Sequence, residues 1–263
     1  MNQFPICTTC GTQYRPDHAP ELGCPICLDD RQYVPETGQT WTSLSELDKH
    51  YSVIIRPLQA HLYELKMVPT FAIGQRALLL KTPEGNILWD CIALLNEPTV
   101  AFIRANGGLR AIAFSHPHYY TTMHEWAETF DCPIYIHEHD QPWIYGPLGR
   151  VRLWSGAETA LWSGVKLINV GGHFPESSIL HVPFLSAHGT LLCGDTFYIA
   201  PSKRHIAVMY SYPNRIPLPI AEVQRIKALM QTIPFDAMHG FYDDQNIDHH
   251  AKTLLFTSLD RYR

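Results

Sequence analysis

The feature that most constrains this chain is a repeated punctuation: short apolar runs, each closing on a histidine or an aspartate beside a glycine or a proline. Ala111–Phe114 leads into Ser115-His116-Pro117-His118, Val165–Val170 into Gly171-Gly172-His173, Leu191–Cys193 into Gly194-Asp195-Thr196, and Ala237-Met238 into His239-Gly240. A short apolar run bounded by turn residues reads as a buried strand, and a polar side chain at its end projects where the backbone leaves the core. Glycines at those ends permit the tight turns that aim such side chains into a shared cleft. In an extended segment His116 and His118 fall on one face and reach one ion, with Pro117 stiffening the pair and biasing His116 toward extended backbone.

A second cluster stands at the start. Cys7-Thr-Thr-Cys10 and Cys24-Pro-Ile-Cys27 are two Cys-x-x-Cys turns separated by a short polar loop. Together they supply four thiolates to one tetrahedral Zn²⁺, whose binding stabilises a segment too small to have its own core. Four thiolates leave no open coordination position, so this zinc is structural. The module reads as Met1 to about Tyr33 with a linker over Val34–Thr40, giving a zinc knuckle and linker over 1–40 and a main domain over 41–263. Few basic residues accompany the knuckle, which favours docking on its own domain over binding nucleic acid. Cys91, Cys132 and Cys193 stand alone in apolar runs, which fits small buried hydrophobes in a reducing compartment better than a disulfide framework.

The chain's 263 residues carry a net charge of −5 and no Lys/Arg run. Nothing in that balance neutralises a phosphate backbone or an anionic membrane, and no stretch reaches the roughly 18 apolar residues of a membrane span. No secretory leader is legible either, so the expectation is a cytoplasmic protein acting on a small-molecule substrate. Phe71–Lys81 and Asn86–Ile92 read as a hairpin across Thr82-Pro-Glu-Gly85. A helix over Pro98–Asn106, a strand over Ala111–Ser115 and a helix from Thr121 to Phe130 follow. Pro133–His137, Val165–Val170, Ser178–Phe184 and Thr190–Cys193 read as strands, and Ala221–Gln231 and Asp248–Leu259 as helices. This mixture predicts an α/β (α+β) chain with two sheets sandwiched between helices.

The ordered set His116-x-His118, Gly-Gly-His173, Gly-Asp195-Thr and His239-Gly resembles the metallo-β-lactamase fold superfamily of hydrolases, from about Pro57 to the C-terminus. The chain also resembles an uncharacterised branch of that superfamily with a similar N-terminal knuckle and a Ser-His-Pro-His-Tyr-Tyr core. The resemblance implies a four-layer αββα sandwich with a metal cleft at one edge of the two sheets. Carried over residue by residue, it implies that His116, His118 and His173 hold one ion, with Asp195 as fourth ligand. The family's first motif usually runs His-x-His-x-Asp-His, and Tyr120 and Thr121 stand here where the second metal's ligands belong. A second position keeps only His239 and the shared Asp195, unless Tyr120 gives a phenolate or His124 swings in. The expected cofactors are therefore a structural zinc on the four cysteines and one cleft ion, zinc or iron.

The function so implied is hydrolysis of a small ester, thioester or lactone by hydroxide on that single ion. Asp195 tempers the ion's charge, Tyr120 donates to the developing oxyanion, and His239 is a ligand or general acid. Without the aspartate that usually orients the attacking water, turnover is expected to be slow. Two readings from other classes stand beside it: a metal- or ligand-binding sensory protein without turnover, and a nucleic-acid processing protein recruited through the knuckle. His18, His50, His61, His181, His188, His205, His249 and His250 read as ordinary hydrogen-bonded residues. His137-Glu138-His139 also spells His-x-His, but only His116 follows the hairpin, helix and strand that precede the metal motif in the family. Trp126, Trp143, Trp154 and Trp162 read as core. Tyr198 and Met209–Pro213 read equally as cleft lining or packing.

Overall fold

The structure, a computed structural model, describes residues 4–15 and 21–263, so the expectation for His18 lies outside the described residues. Its contacts divide into two compact units, Met1–Trp154 and Ser155–Arg263. Among the described residues no helix is long and apolar enough to cross a membrane.

The first unit opens with β1 (Ile6–Cys7), α1 (Pro25–Leu28), β2 (Trp41–Thr42) and α2 (Leu44–His50), with β1 and β2 paired antiparallel. It is then built on a seven-stranded sheet in sequence order: β3 (Ser52–Gln59), β4 (Leu62–Val68), β5 (Arg76–Leu80), β6 (Ile87–Trp89), β7 (Ala111–Ala113), β8 (Ile134–His137) and β9 (Val151–Trp154). β3 to β6 are antiparallel and β6 to β9 parallel. The expected β5–β6 hairpin is present, closed where Thr82 Oγ1 donates to the Gly85 carbonyl at 2.8 Å. A parallel pair needs a crossover, and two helices supply it: α3 (Glu97–Ala105) between β6 and β7, α4 (Met123–Phe130) between β7 and β8. α3 begins where the Asn96 side chain accepts from Thr99 N, with Pro98 in its first turn and Arg104 in its last. α4 ends on Asp131 in the left-handed region at φ 51°.

The second unit carries a six-stranded sheet ordered β10 (Glu158–Ala160), β11 (Lys166–Asn169), β12 (Ser178–Val182), β13 (Thr190–Leu192), β18 (Ala237–His239) and β19 (Asn246–Ile247). Between β13 and β18 the chain makes two short pairs, β14 (Tyr198–Ile199) with β15 (Ile206–Ala207) and β16 (Met209–Ser211) with β17 (Ile216–Pro217). α5 (Ile220–Thr232) then provides the crossover for the parallel β13–β18 pair, and α6 (Ala251–Leu259) ends the unit. Val223, Ile226 and Met230 of α5 and Ala251, Leu255 and Leu259 of α6 are buried with Ile179, Leu191 and Met238 of the sheet in one apolar core. The strands absent from the sequence expectations, β1 to β4, β9, β10, β14 to β17 and β19, are mostly edge or two-residue pieces without an apolar run of their own.

Candidate metal centre

In the first unit the metal-ligand candidates begin at the carboxyl ends of β6 and β7. The parallel register sets Trp89 beside Ala113, so Asp90 and Ser115 emerge together. The buried Asp90 carboxylate accepts from Ser115 N at 2.8 Å and from Ser115 Oγ at 2.9 Å. The Ser115 hydroxyl has one proton; giving it to Asp90 leaves its oxygen to accept from His116 Nδ1, 2.9 Å away. That fixes His116 as the Nδ1–H tautomer, with the lone pair on Nε2. Burial pushes the Asp90 carboxyl up to about 7, against the hydrogen bonds from Ser115, which act to lower it. Asp90 was not among the sequence candidates: Ile87–Trp89 also closes on an aspartate, but no glycine or proline stands beside it.

The extended reading of the histidine pair needs correction. The strand stops at Ala113, His116 is extended at φ −173°, and Pro117–Tyr119 forms one 3₁₀ turn. Proline suits the first position of that turn because it has no N–H to leave unsatisfied. His116 and His118 still converge, their ring centroids 5.0 Å apart. Tyr120 is buried, edge-on to Phe114 at 4.9 Å. Burial first, and the facing Asp140 carboxylate second, raise its phenol well above the ordinary range. Thr121 sits at φ 37°, unusual for a β-branched residue, and His124 is buried against Gly146.

In the second unit Gly171 and Gly172, at φ 73° and 94°, turn the chain after β11 and present His173. His173 Nδ1 donates to the Tyr210 carbonyl at 2.7 Å, and its Nε2 lies 3.6 Å from Asp195 Oδ2. The β13–β18 register sets Leu192 beside His239, bringing His239 to the same sheet end as Asp195. Asn246 Nδ2 donates to the Asp243 carbonyl at 2.8 Å, which turns Asn246 Oδ1 toward His239 Nδ1, also at 2.8 Å. His239 is thereby another Nδ1–H tautomer. Tyr212 lies beside His173, ring centroids 5.4 Å apart, and Tyr198 and Phe241 pack on Tyr212. His137, the rival candidate, is buried edge-on to Trp154, while His139 is exposed.

The cysteine cluster forms as expected. Cys7 and Cys10 lie on a tight loop where Gly11 N donates to the Cys7 carbonyl at 2.8 Å, and Cys24 and Cys27 on the first turn of α1. Cys7 Sγ is 3.6 Å from Cys27 Sγ and Cys10 Sγ 3.5 Å from Cys24 Sγ, with all four sulfurs within 4.8 Å of one another. A tetrahedral Zn–S length of about 2.3 Å puts sulfurs about 3.8 Å apart, whereas a disulfide is about 2.0 Å, so the cluster fits an ion. Among the described residues no disulfide forms. The supposed linker is part of this site: Gln39 Nε2 donates to Cys7 Sγ at 3.0 Å and Gln39 Oε1 accepts from Cys24 N at 3.2 Å. Ile73, Trp143 and Tyr145 pack on the cluster, so the module is docked on its own unit.

No protein-family model matches the chain. It is 41% identical over 240 residues, covering 90% of this chain and 88% of the relative, to "Uncharacterized protein YmaE" of Bacillus subtilis (strain 168). Among solved structures, DIM-1 metallo-β-lactamase aligns with a TM-score of 0.60 at 13% identity, covering 81% of this chain and all 100% of that one. The metallo-β-lactamase FIM-1 from Pseudomonas aeruginosa, in a mono-zinc form, gives 0.57 at 10% identity over 80% and 95% of the two chains. TTHA1623, in a di-iron-bound form, gives 0.52 at 21% identity over 68% and 91%. At those identities the likeness establishes the fold. The chain thus belongs to the family of YmaE, on a metallo-β-lactamase fold that carries a four-cysteine cluster at its N-terminus.

Proposed function

We propose that the protein is a metal-dependent hydrolase of a small ester, thioester or lactone, with one cleft ion held by His116, His118, His173 and Asp195. The observation that carries this reading is the donor set. The four side chains are buried and of the type that holds a metal ion, and the Nδ1 bonds of His116 and His173 leave Nε2 as the ligating atom of each. Three imidazoles and one carboxylate suit zinc or iron. When bound, the ion supplies a Lewis acid that polarises a substrate oxygen and lowers the pKa of water. His239, with its proton on Nδ1, offers Nε2 as a ligand or as a proton acceptor near Asp195. Tyr120, buried and facing Asp140, supports the loop as a neutral phenol. Tyr120 and Thr121 in place of second-metal ligands are what support a single ion.

The test is metal content per chain in the wild type, Cys24→Ser and His118→Ala, beside a panel of esters, thioesters and lactones. The expected result is two ions in the wild type and one in each variant, with hydrolysis lost in His118→Ala. Two tightly bound ions in the cleft, or no loss in His118→Ala, would overturn the reading. The same Tyr120 and Thr121 also favour a second reading, a ligand-binding protein without turnover. It predicts a metal-loaded wild type that hydrolyses nothing on the panel.

A further inference from the structure

The cysteine module and the histidine loop meet through named bonds inside the first unit. Gln13 N donates to the Thr121 carbonyl at 3.1 Å, three residues past His118. Gly11, one residue past Cys10, lies so near the loop that a β-carbon on it would sit 3.4 Å from Thr121 Cγ2 and 3.6 Å from Ala93 Cβ. Thr122 Oγ1 in turn donates to the Ala93 carbonyl at 3.1 Å. Arg15 reaches α4, the helix that the loop feeds, with Nη2 3.0 Å from Glu128 and 3.6 Å from Glu125. A second route runs from the other cysteine pair. Tyr14 Oη lies 3.0 Å from Cys24 Sγ and its ring packs on Tyr145, just past the 3₁₀ turn Glu138–Trp143 that carries Asp140 against Tyr120.

Two physical facts give these contacts a direction. Among the described residues of the module the buried hydrophobic side chains are Ile6, Tyr14, Ile26 and the four cysteines, too little apolar mass to hold its shape without an ion. Thr121, at φ 37°, occupies a conformation that a β-branched residue keeps only when its surroundings hold it there. Ion, module and loop therefore form one series: the ion shapes the segment Cys7–Arg15, and that segment holds the loop.

We propose that the four-cysteine module is a positioning clamp for the loop His116–Thr121, so that the ion on the cysteines sets the affinity of the cleft for its own ion. This rests on the metal reading of the two sites given above. The clamp acts through the Gln13 main chain and the Arg15 side chain. Loss of the knuckle's ion releases the loop and weakens the cleft at a distance.

The experiment uses the full chain and two readouts. Hydrogen exchange over residues 116–123 is compared between the wild type and Cys24→Ser, and is expected to quicken about tenfold in the variant while β12 and β13 keep their protection. Cobalt(II) titration then separates the two ions, because thiolate-to-cobalt absorption reports the knuckle alone. Arg15→Gln and Gln13→Pro are expected to keep that absorption and to bind the second cobalt about tenfold more weakly. Unchanged exchange over 116–123 in Cys24→Ser, or an unchanged second cobalt in both clamp variants, overturns the proposal. The exchange comparison needs no cleft ion, so it decides the clamp even where the hydrolase reading has failed.

Discussion

Asp90 is the residue whose environment does most to shape the centre. It is buried at φ 59°, and burial holds its carboxyl near pH 7 in the metal-free protein. Its folded pKa is raised above the unfolded value near 3.8, so the native state binds more protons than the unfolded one between about pH 4 and 7. Stability is therefore full below about pH 4 and falls as pH rises through 7, by roughly 4 kcal/mol for this group alone. Asp90→Asn should flatten that slope in urea unfolding of metal-free protein across the same range, because the amide keeps an acceptor for Ser115 N without the charge. The same substitution should weaken the cleft ion about 10- to 100-fold in a zinc competition titration, since the carboxylate polarises Ser115 and through it His116. Gain in one measurement and loss in the other is the signature of a buried charge kept for the ion; a weaker fold at pH 8 would show that Asp90 serves stability.

At the scale of elements, the antiparallel half of the first sheet is pinned by charge as well as by apolar packing. Glu64 on β4 is buried and accepts from Arg76 Nη1 on β5 at 2.8 Å, with Arg56 on β3 closing the group from the other side. Removing one partner leaves the other charge buried, so Glu64→Ala should cost about 3–5 kcal/mol in denaturant unfolding, and the milder Arg56→Ala, at a half-exposed side chain, no more than about 1 kcal/mol. Nothing local in Ser52–Val68 announces this, because β3 alternates loosely and Glu64 reads as a surface residue. The strands that were legible, β5 to β8 and β11 to β13, are rich in Leu, Ile, Val and Ala and mostly buried. Helix α3 was legible from the Gly107-Gly108 pair that closes it, and α5 from its periodicity. The histidine pair reads as extended in the sequence and forms a 3₁₀ turn in the fold, because Pro117 fits an extended segment and a turn start equally well. The linker Val34–Thr40 read as a connector since the two bonds of Gln39 to the cysteine loops depend on the fold.

For the whole molecule, the proposed ion has a thermodynamic consequence that separates it from any ion bound by one unit. Sequence order alone placed His116 and His118 before His173, Asp195 and His239, but spacing along the chain says nothing about which rings share an ion; only the superfamily resemblance joined them. If His116 and His118 contribute half the donors and His173 and Asp195 the other half, removing either half removes the whole site. Binding to the native state alone stabilises it by about 2.7 kcal/mol at a free ion concentration one hundred times Kd. Zinc titration of thermal unfolding in Cys24→Ser, where the knuckle no longer responds, should thus raise the midpoint by several degrees. His118→Ala and His173→Ala placed on that background should each abolish the rise, and combining them should cost nothing more than either alone. A zinc-dependent rise that survives in one of the two single variants would mean that the ion sits within one unit, and the shared centre would have to be abandoned.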